Sequence, residues 1–335
     1  MAVVDSARPV TIYTVARRAG VSISTVSRVL QGSTPTSEET RNKVLRAVDE
    51  LGYVPLRART NLLRLETHGL VMPAVGGPYY SEILSGYQLA AGQFGLSVML
   101  VSADAKPEHL TEQVVDLCGK VDGMMIMHAT VPDDVIMHVA SRVPVVLTGR
   151  DPLPGCDYIG VENVDATAAL VRHVISHGAR RPRFVGITET RDVRQRYAGY
   201  LQAVAEAGLE VPMAGYKVPA IEEFGNQVAQ EVVEEDPRCD ALICANDELA
   251  LAVMKALARR GLHTPDDIII TGFDDIMPAR YTLPGLTTVR QPMRLLGSLL
   301  AQRLHDRISL GTPCQEPTTL SCEVVIRGTC GCPED

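Results

Sequence analysis

The sequence predicts a small all-α head carrying a helix-turn-helix, followed by a two-lobed α/β body with parallel sheets. Three observations predict it. Over the first 52 positions apolar residues recur at helical spacing with no convincing strand. From His68 onward, short apolar runs alternate with helical segments, the pattern of parallel sheets covered by helices on both faces. That body has at least eight strands, and since a single hydrophobic core stops growing near roughly 250 to 300 residues, two lobes are expected rather than one sheet.

In the head, Ile12, Val15, Ala16 and Ala19 define a first helix that Gly20 ends, and Val26, Val29 and Leu30 stripe a second. A third starts at Thr36 or Ser37, where Thr36-Ser-Glu-Glu39 fits a capping box; Val44, Val48 and Leu51 supply its buried face before Gly52. Two short helices across a glycine turn plus a third spell a helix-turn-helix. Residues 53–67 are basic and proline-broken at the start, a linker or short helix. The strands expected after it are GLVMP, LSVMLVSAD, VDGMMIM, PVVLTG, YIGVEN, RFVGIT, ALICAN and DIIITGFDD. The domains are therefore drawn as 1–53 (head), 54–67 (hinge or linker) and 68–335 (body).

Charge divides along the same line. The 335-residue chain has a formal net charge of -8, yet residues 1–66 hold ten Lys and Arg against six Asp and Glu. A basic head on an acidic body is the footprint of a DNA-contacting module fused to something else. Hydrophobic residues at 46% and charged residues at 21% exclude a disordered or low-complexity chain. The eight cysteines read as reduced thiols in a chain large enough to fold without staples. No apolar run approaches the roughly 18 residues needed to span a bilayer, and MAVVDSARPV lacks the form of a secretion signal, so a cytoplasmic location is expected.

The second helix exposes Ser22, Ile23, Ser24, Thr25, Ser27 and Arg28, short polar donors and one guanidinium that can reach phosphates or base edges in a major groove. Residues 11–53 resemble the DNA-binding head of the lactose-repressor (LacI/GalR) family of transcription regulators. The resemblance rests on V-A-x-x-A-G-V-S (Val15 to Ser22), T-V-S-R-V-L (Thr25 to Leu30), S-E-E-T-R (Ser37 to Arg41) and E-L-G-Y-x-P (Glu50 to Pro55). It implies that Ile23 and Ser24 read bases with Arg28 supporting, while Ser22, Thr25, Ser27, Asn42 and Tyr53 position the phosphate backbone. It also implies a hinge helix whose leucine enters the minor groove, which falls on Leu62; a packing role for Leu62 stays open. Here Leu56 replaces the usual asparagine and Arg59 the usual small alanine.

The body resembles that family's sensor, a periplasmic-binding-protein-like two-lobed fold, through P-Y-Y-S-E (Pro78 to Glu82), R-Y-A-G-Y (Arg196 to Tyr200), A-N-D-E-L-A (Ala245 to Ala250), G-F-D-D (Gly272 to Asp275) and L-T-T-V-R-Q-P (Leu286 to Pro292). The resemblance implies that Arg196, Asn246, Asp247 and Asp274 hydrogen-bond a small ligand, most simply a sugar, with Gln291 near the lobe crossover. Tyr79 and Tyr80 are expected to stack on its flat face, and Met127 and His128 follow a strand into the same region. Asp247 and Asp275 also fit helix N-caps, Tyr80 a core position, and His128 a structural role. Many relatives place an Asp where this chain has Thr148, Gly149 and Arg150, so the carboxylate is absent or moved to Asp151 and Arg150 joins the expected lining.

The function these readings imply is a ligand-responsive transcriptional repressor, a homodimer or dimer of dimers on a pseudo-palindromic double-stranded DNA operator. A purine-type corepressor and a sugar receptor without DNA function are the alternatives. No G-x-G-x-x-G follows a strand into a helix and no Walker A or catalytic triad spacing stands out, so no enzyme and no cofactor are expected. Cys314, Cys322, Cys330 and Cys332 crowd the C-terminus, but Cys330-Gly-Cys332 is tighter than the Cys-x2-Cys pairs of zinc sites, so no metal is expected.

Overall fold

The computed structural model describes residues 11–31, 37–51, 53, 65–103, 109–128, 131–210 and 224–333. The chain divides into two compact units, Met1–Leu65 and Glu66–Asp335.

In the first unit, α1 (Ile12–Ala19), α2 (Ile23–Gln31) and α3 (Glu38–Leu51) bury Val15, Ala16, Val26, Val44, Ala47 and Tyr53 against one another. Gly20 ends α1 at φ 67°, and its N–H donates to the Ala16 carbonyl; a side chain there would be strained, which is why the turn falls on glycine. Ser22 caps α2, its Oγ accepting from Thr25 N (3.1 Å). Ser37 does the same for α3 through Thr40 N (3.4 Å), so the cap is Ser37, and the box drawn from Thr36 lies outside the described residues.

The second unit begins with a lobe built on six parallel strands in the order β10-β5-β4-β3-β1-β2: β1 (Thr67–Met72), β2 (Ser97–Ser102), β3 (Gly123–Met127), β4 (Val145–Thr148), β5 (Asp157–Val161) and β10 (Thr318–Leu320). Strand side chains alternate between two cores. Val71, Met124 and Ile126 face α5 (Leu110–Cys118) and α6 (Asp133–Ala140); Leu70, Met72 and Met125 face α4 (Pro78–Phe94) and α11 (Met293–Ser309). α4 and α11 meet backbone to backbone. A Cβ on Gly86 would lie 2.0 Å from the Arg294 carbonyl and one on Gly297 2.0 Å from that of Ile83, so both positions admit only glycine.

The other lobe carries parallel β6 (Pro182–Val185), β7 (Ala241–Cys244) and β8 (Ile269–Thr271), between α9 (Gly225–Glu234) and α10 (Asp247–Ala258) on one face and α7 (Val164–Ser176) and α8 (Arg191–Glu206) on the other. Bridges Thr271↔Thr287 and Asp274↔Arg290 set β9 (Thr288–Arg290) alongside β8, and β11 (Glu323–Val325) pairs with β9 antiparallel. The chain thus crosses between lobes three times, after β5, after β9 and between β10 and β11, and Gln291 sits at the second crossing as its sequence position implied. All eight strands expected from the sequence form.

Candidate functional sites in the head and the interlobe cleft

On the head, Ser22, Ile23, Ser24 and Arg28 are exposed at the start and along one side of α2, while Thr25 and Ser27 are half-buried. Ile23 is 41% exposed, an apolar side chain held out toward solvent where base edges could be met. Ser22 Oγ lies 2.8 Å from both Ser24 Oγ and Thr25 Oγ1, and Arg28 Nε donates to the Ser24 carbonyl (3.3 Å), so these groups form one polar stripe. Asn42 is exposed on α3; Tyr53 instead packs into the head's core. Leu62 lies outside the described residues.

In the second unit the polar residues gather where strands end, as expected for open α/β sheets whose ligands bind beyond the carboxyl ends of the strands. The first lobe delivers Tyr79 and Tyr80 at the start of α4 and His128 just past β3; the second delivers Asp192 and Arg196 from α8, Asn246 after β7 and Asp274 after β8. Tyr79 and Tyr80 meet edge to face at 5.1 Å, and Tyr80 meets the His128 ring at 6.1 Å.

Arg196 is the centre of the second lobe's contribution. Its guanidinium lies over the Phe273 ring at 3.8 Å, Nε donates to Asn163 Oδ1 (2.9 Å) and one terminal nitrogen to the Ala245 carbonyl (2.6 Å). The Asp274 carboxylate sits 3.8 Å away and accepts from Gln291 Nε2 (2.5 Å). Burial pushes the Asp274 carboxyl up to about 7 despite Arg196 and Gln291, with Glu248 and Asp192 adding to the rise. Burial likewise drives the Tyr79 hydroxyl upward and the His128 imidazole downward. His128 Nε2 and Gln291 Oε1 are sealed from solvent and have no hydrogen-bond partner among the described residues. His128, Asp274 and Asp275 adopt φ of 63°, 121° and 56°, the positive-φ residues other than glycine among those described. Strained backbone of this kind clusters where a fold positions functional groups.

Tyr79, Tyr80, Arg196, Asp274 and Gln291 are thus brought together; the other expected lining residues are engaged within the fold. Asn246 caps α10, its side chain accepting from Leu249 N (2.9 Å). Asp247 turns its buried carboxylate to Thr288 Oγ1 (2.5 Å) and Ile276 N (2.9 Å), stitching α10 to β9. It is not the N-cap that its position also suggested. Asp275 is no cap either: its buried carboxylate collects the guanidiniums of Arg280, Arg290 and Arg327, and those of Arg290 and Arg327 outweigh burial to hold it below its ordinary value. Met127 is a core residue beside Leu70 and Ile83. Arg150 is buried and spans the His128 and Val131 carbonyls and Asp133, fixing the loop after β3 rather than facing the cleft. Asp151 reaches across to Arg191 and Arg194 on α8 (2.8 Å each) and so ties lobe to lobe. Asn163 and Asp192, absent from the sequence reading, complete the network, with Asn163 Nδ2 donating to Asp192 and Gln195. The asparagine in YIGVEN, at a strand end, was the available signal.

Residues 11–55 match "Bacterial regulatory proteins, lacI family", and residues 171–330 match "Periplasmic binding protein-like domain". The ribose operon repressor of Escherichia coli is 31% identical over 95% of this chain and 99% of its own length. The HTH-type transcriptional repressor PurR of Mannheimia succiniciproducens is 28% identical over 95% and 97%. The solved lac repressor dimer bound to operator and the anti-inducer ONPF superposes with a TM-score of 0.73 at 28% identity, over 96% of this chain and 99% of that one. No helix among the described residues is long and apolar enough to cross a membrane. The chain belongs to the LacI family: it is a DNA-binding transcriptional repressor with a two-lobed ligand-binding domain, and not an enzyme.

Proposed function

We propose that a small polyhydroxylated ligand, a sugar, binds between the lobes and sets the affinity of the head for its operator. The observation that carries this reading is the buried set Arg196, Asp274 and Gln291 facing His128 and two tyrosines, in which Gln291 Oε1 and His128 Nε2 lack partners among the described residues. Buried polar atoms are nearly always paired, so unpaired ones at a strand-end cleft suit a ligand that supplies several hydroxyls. A guanidinium, an amide and a carboxylate can fork onto adjacent hydroxyls, and tyrosine rings can cover the sugar's apolar face.

Ligand contacts made to both lobes favour one arrangement of the lobes over another, and that differential affinity is what a switch requires. The head, residues 1–53, reads bases with Ile23 and Ser24, supported by Arg28, and grips phosphates with Ser22, Thr25, Ser27 and Asn42; residues 54–67 act as the hinge, with Leu62 entering the minor groove. The working form is a cytoplasmic homodimer. Leu89 and Phe94 on α4 and Met99 and Leu100 on the edge strand β2 are exposed, as are Met277, Tyr281 and Leu283 in the other lobe, which suits burial against a second copy.

A thermal-shift screen against pentoses, hexoses, disaccharides, sugar phosphates and purines tests the reading, because a ligand of the folded cleft stabilises by mass action. A sugar that raises Tm in the native chain and not in Asp274→Asn supports it. A response confined to purines replaces the sugar, and no response across the panel removes the ligand assignment.

A further inference from the structure

The C-terminal thiols, set aside on their spacing, meet two imidazoles that the sequence holds about 155 residues away. Nε2 of His173 lies 3.2 Å from Cys330 Sγ and 3.8 Å from Cys332 Sγ, and Nε2 of His177 lies 3.2 Å from Cys332 Sγ. The four ligand atoms, one from each residue, all fall within 4.8 Å of one another. We propose that His173, His177, Cys330 and Cys332 form a binding site for a thiophilic divalent cation such as Zn(II), a structural staple distinct from the interlobe cleft.

The geometry fits such an ion. Zn–S bonds of about 2.3 Å and Zn–N bonds of about 2.0–2.1 Å arranged tetrahedrally place neighbouring ligand atoms roughly 3.3–3.8 Å apart. The three nitrogen-to-sulfur separations already sit in or next to that range. Two nitrogens and two thiolates are the donor set of structural zinc, and a closed set of four protein ligands leaves no open coordination position for catalysis.

Each element presents its pair for a local reason. His173 and His177 are four apart in the last turn of α7 and its C-cap, so both rings leave the same side of the helix, with centroids 4.6 Å apart. That end of α7 carries the negative pole of the helix, which favours a cation. On the tail, Gly331 takes φ 90° after the short 3-10 turn Gly328–Cys330; the reversal at a glycine lets the thiols on either side of it converge. The tight Cys-x-Cys spacing is therefore compatible with one ion once the turn is known.

The staple has something to hold. Arg327, three residues before Cys330, donates to Asp275 and the Leu286 carbonyl, and Thr329 Oγ1 accepts from Thr287 N (2.8 Å). Fixing the tail to α7 thus fixes the strand-end loop that carries Asp274 and Asp275.

The test uses the purified full-length chain, kept reduced and freed of metal, titrated with Co(II) and then Zn(II). The expected result is one cobalt per chain, with the strong visible bands of tetrahedral cobalt and thiolate-to-cobalt charge transfer, both bleached by one equivalent of Zn(II). Cys332→Ala and His177→Ala, which alter half-buried and exposed side chains, should keep the native far-UV spectrum and lose at least tenfold in cobalt affinity. Zn(II) should raise the Tm of the native chain and leave that of a chain carrying both Cys332→Ala and His177→Ala unmoved. Absence of the bands in the native chain, or bands of equal strength in the two variants, overturns the proposal.

Discussion

Replacing Arg196 with alanine tests the cleft at its centre. The change strips the partner from the Asn163 Oδ1 and Ala245 carbonyl oxygens, uncovers the Phe273 face and removes the cation 3.8 Å from Asp274, all in a region sealed from water. Hydrogen bonds to a charged group contribute about 1.5–3 kcal/mol each, and breaking a buried charge pair from one side costs about 3–5 kcal/mol. Asp274 offsets part of this by taking up a proton, since burial already pushes its carboxyl to about 7. A net loss of about 3–4 kcal/mol in the second unit is expected. Urea unfolding followed by far-UV circular dichroism and by tyrosine fluorescence reads it, the sequence containing ten tyrosines and no tryptophan. Arg196→Lys should recover less than half of the loss, because an ammonium cannot lie flat on the ring while reaching both acceptors. A variant within about 1 kcal/mol of the parent, the median span of a surface ion pair, would refute the claim that this guanidinium organises the cleft.

Four other outcomes follow from the geometry. Between pH 4 and 7 the folded chain holds a proton on Asp274 that the unfolded chain has released, so this group's contribution to stability falls as pH rises through that window at about 1.4 kcal/mol per unit. Asp274→Asn removes the effect, and its stability relative to the parent should climb by a few kcal/mol from pH 4 to 7; a gap independent of pH would contradict the assignment. Asp151→Ala breaks exposed ion pairs to Arg191 and Arg194, so stability should change by less than about 1 kcal/mol while ligand affinity drops several-fold and loses salt dependence in calorimetric titration; unchanged affinity would mean that the pairs do not favour closure. Gly297→Ala forces a methyl against the Ile83 carbonyl and should lower stability by about 1–3 kcal/mol or more in urea unfolding; a neutral result would mean that α4 and α11 are not in backbone contact. Arg28→Ala should weaken operator binding by about 1–3 kcal/mol in fluorescence anisotropy with Tm unmoved, and equal affinity would place the recognition surface elsewhere.

The eight expected strands and the layers covering them follow from residues whose apolar pattern is local, such as Leu70 and Val71, which face opposite cores because successive strand residues must, whereas the order of the strands comes from pairing between distant segments. The head was legible for the same reason: Gly20 and Ser22 announce their turn and cap within a few positions. Arg196, Asp274 and Gln291 were named from sequence, but the network that holds them was not, since Asn163 and Ala245 reach Arg196 only after the ends of β5 and β7 come up beside α8. Asp247 and Arg150 carry the residue types of a ligand site, yet each is consumed by backbone groups that folding brings up, Ile276 N in one case and the His128 and Val131 carbonyls in the other. The histidine pair on α7 escaped notice because its partners lie at the far end of the chain, and spacing along the sequence carries no information about a contact made through a glycine turn.

Control of DNA binding by a ligand in the cleft is measured directly as operator affinity with and without that ligand. The full-length chain is used to select bound fragments from random double-stranded DNA. Affinity for the enriched sequence is then measured by anisotropy over a salt series, before and after adding the sugar found by thermal shift. The expected result is a pseudo-palindromic site, affinity that falls linearly with salt on logarithmic axes, and at least a fivefold change on adding the sugar that Asp274→Asn abolishes. Specific binding that the sugar leaves unchanged, or that it changes equally in Asp274→Asn, would contradict it.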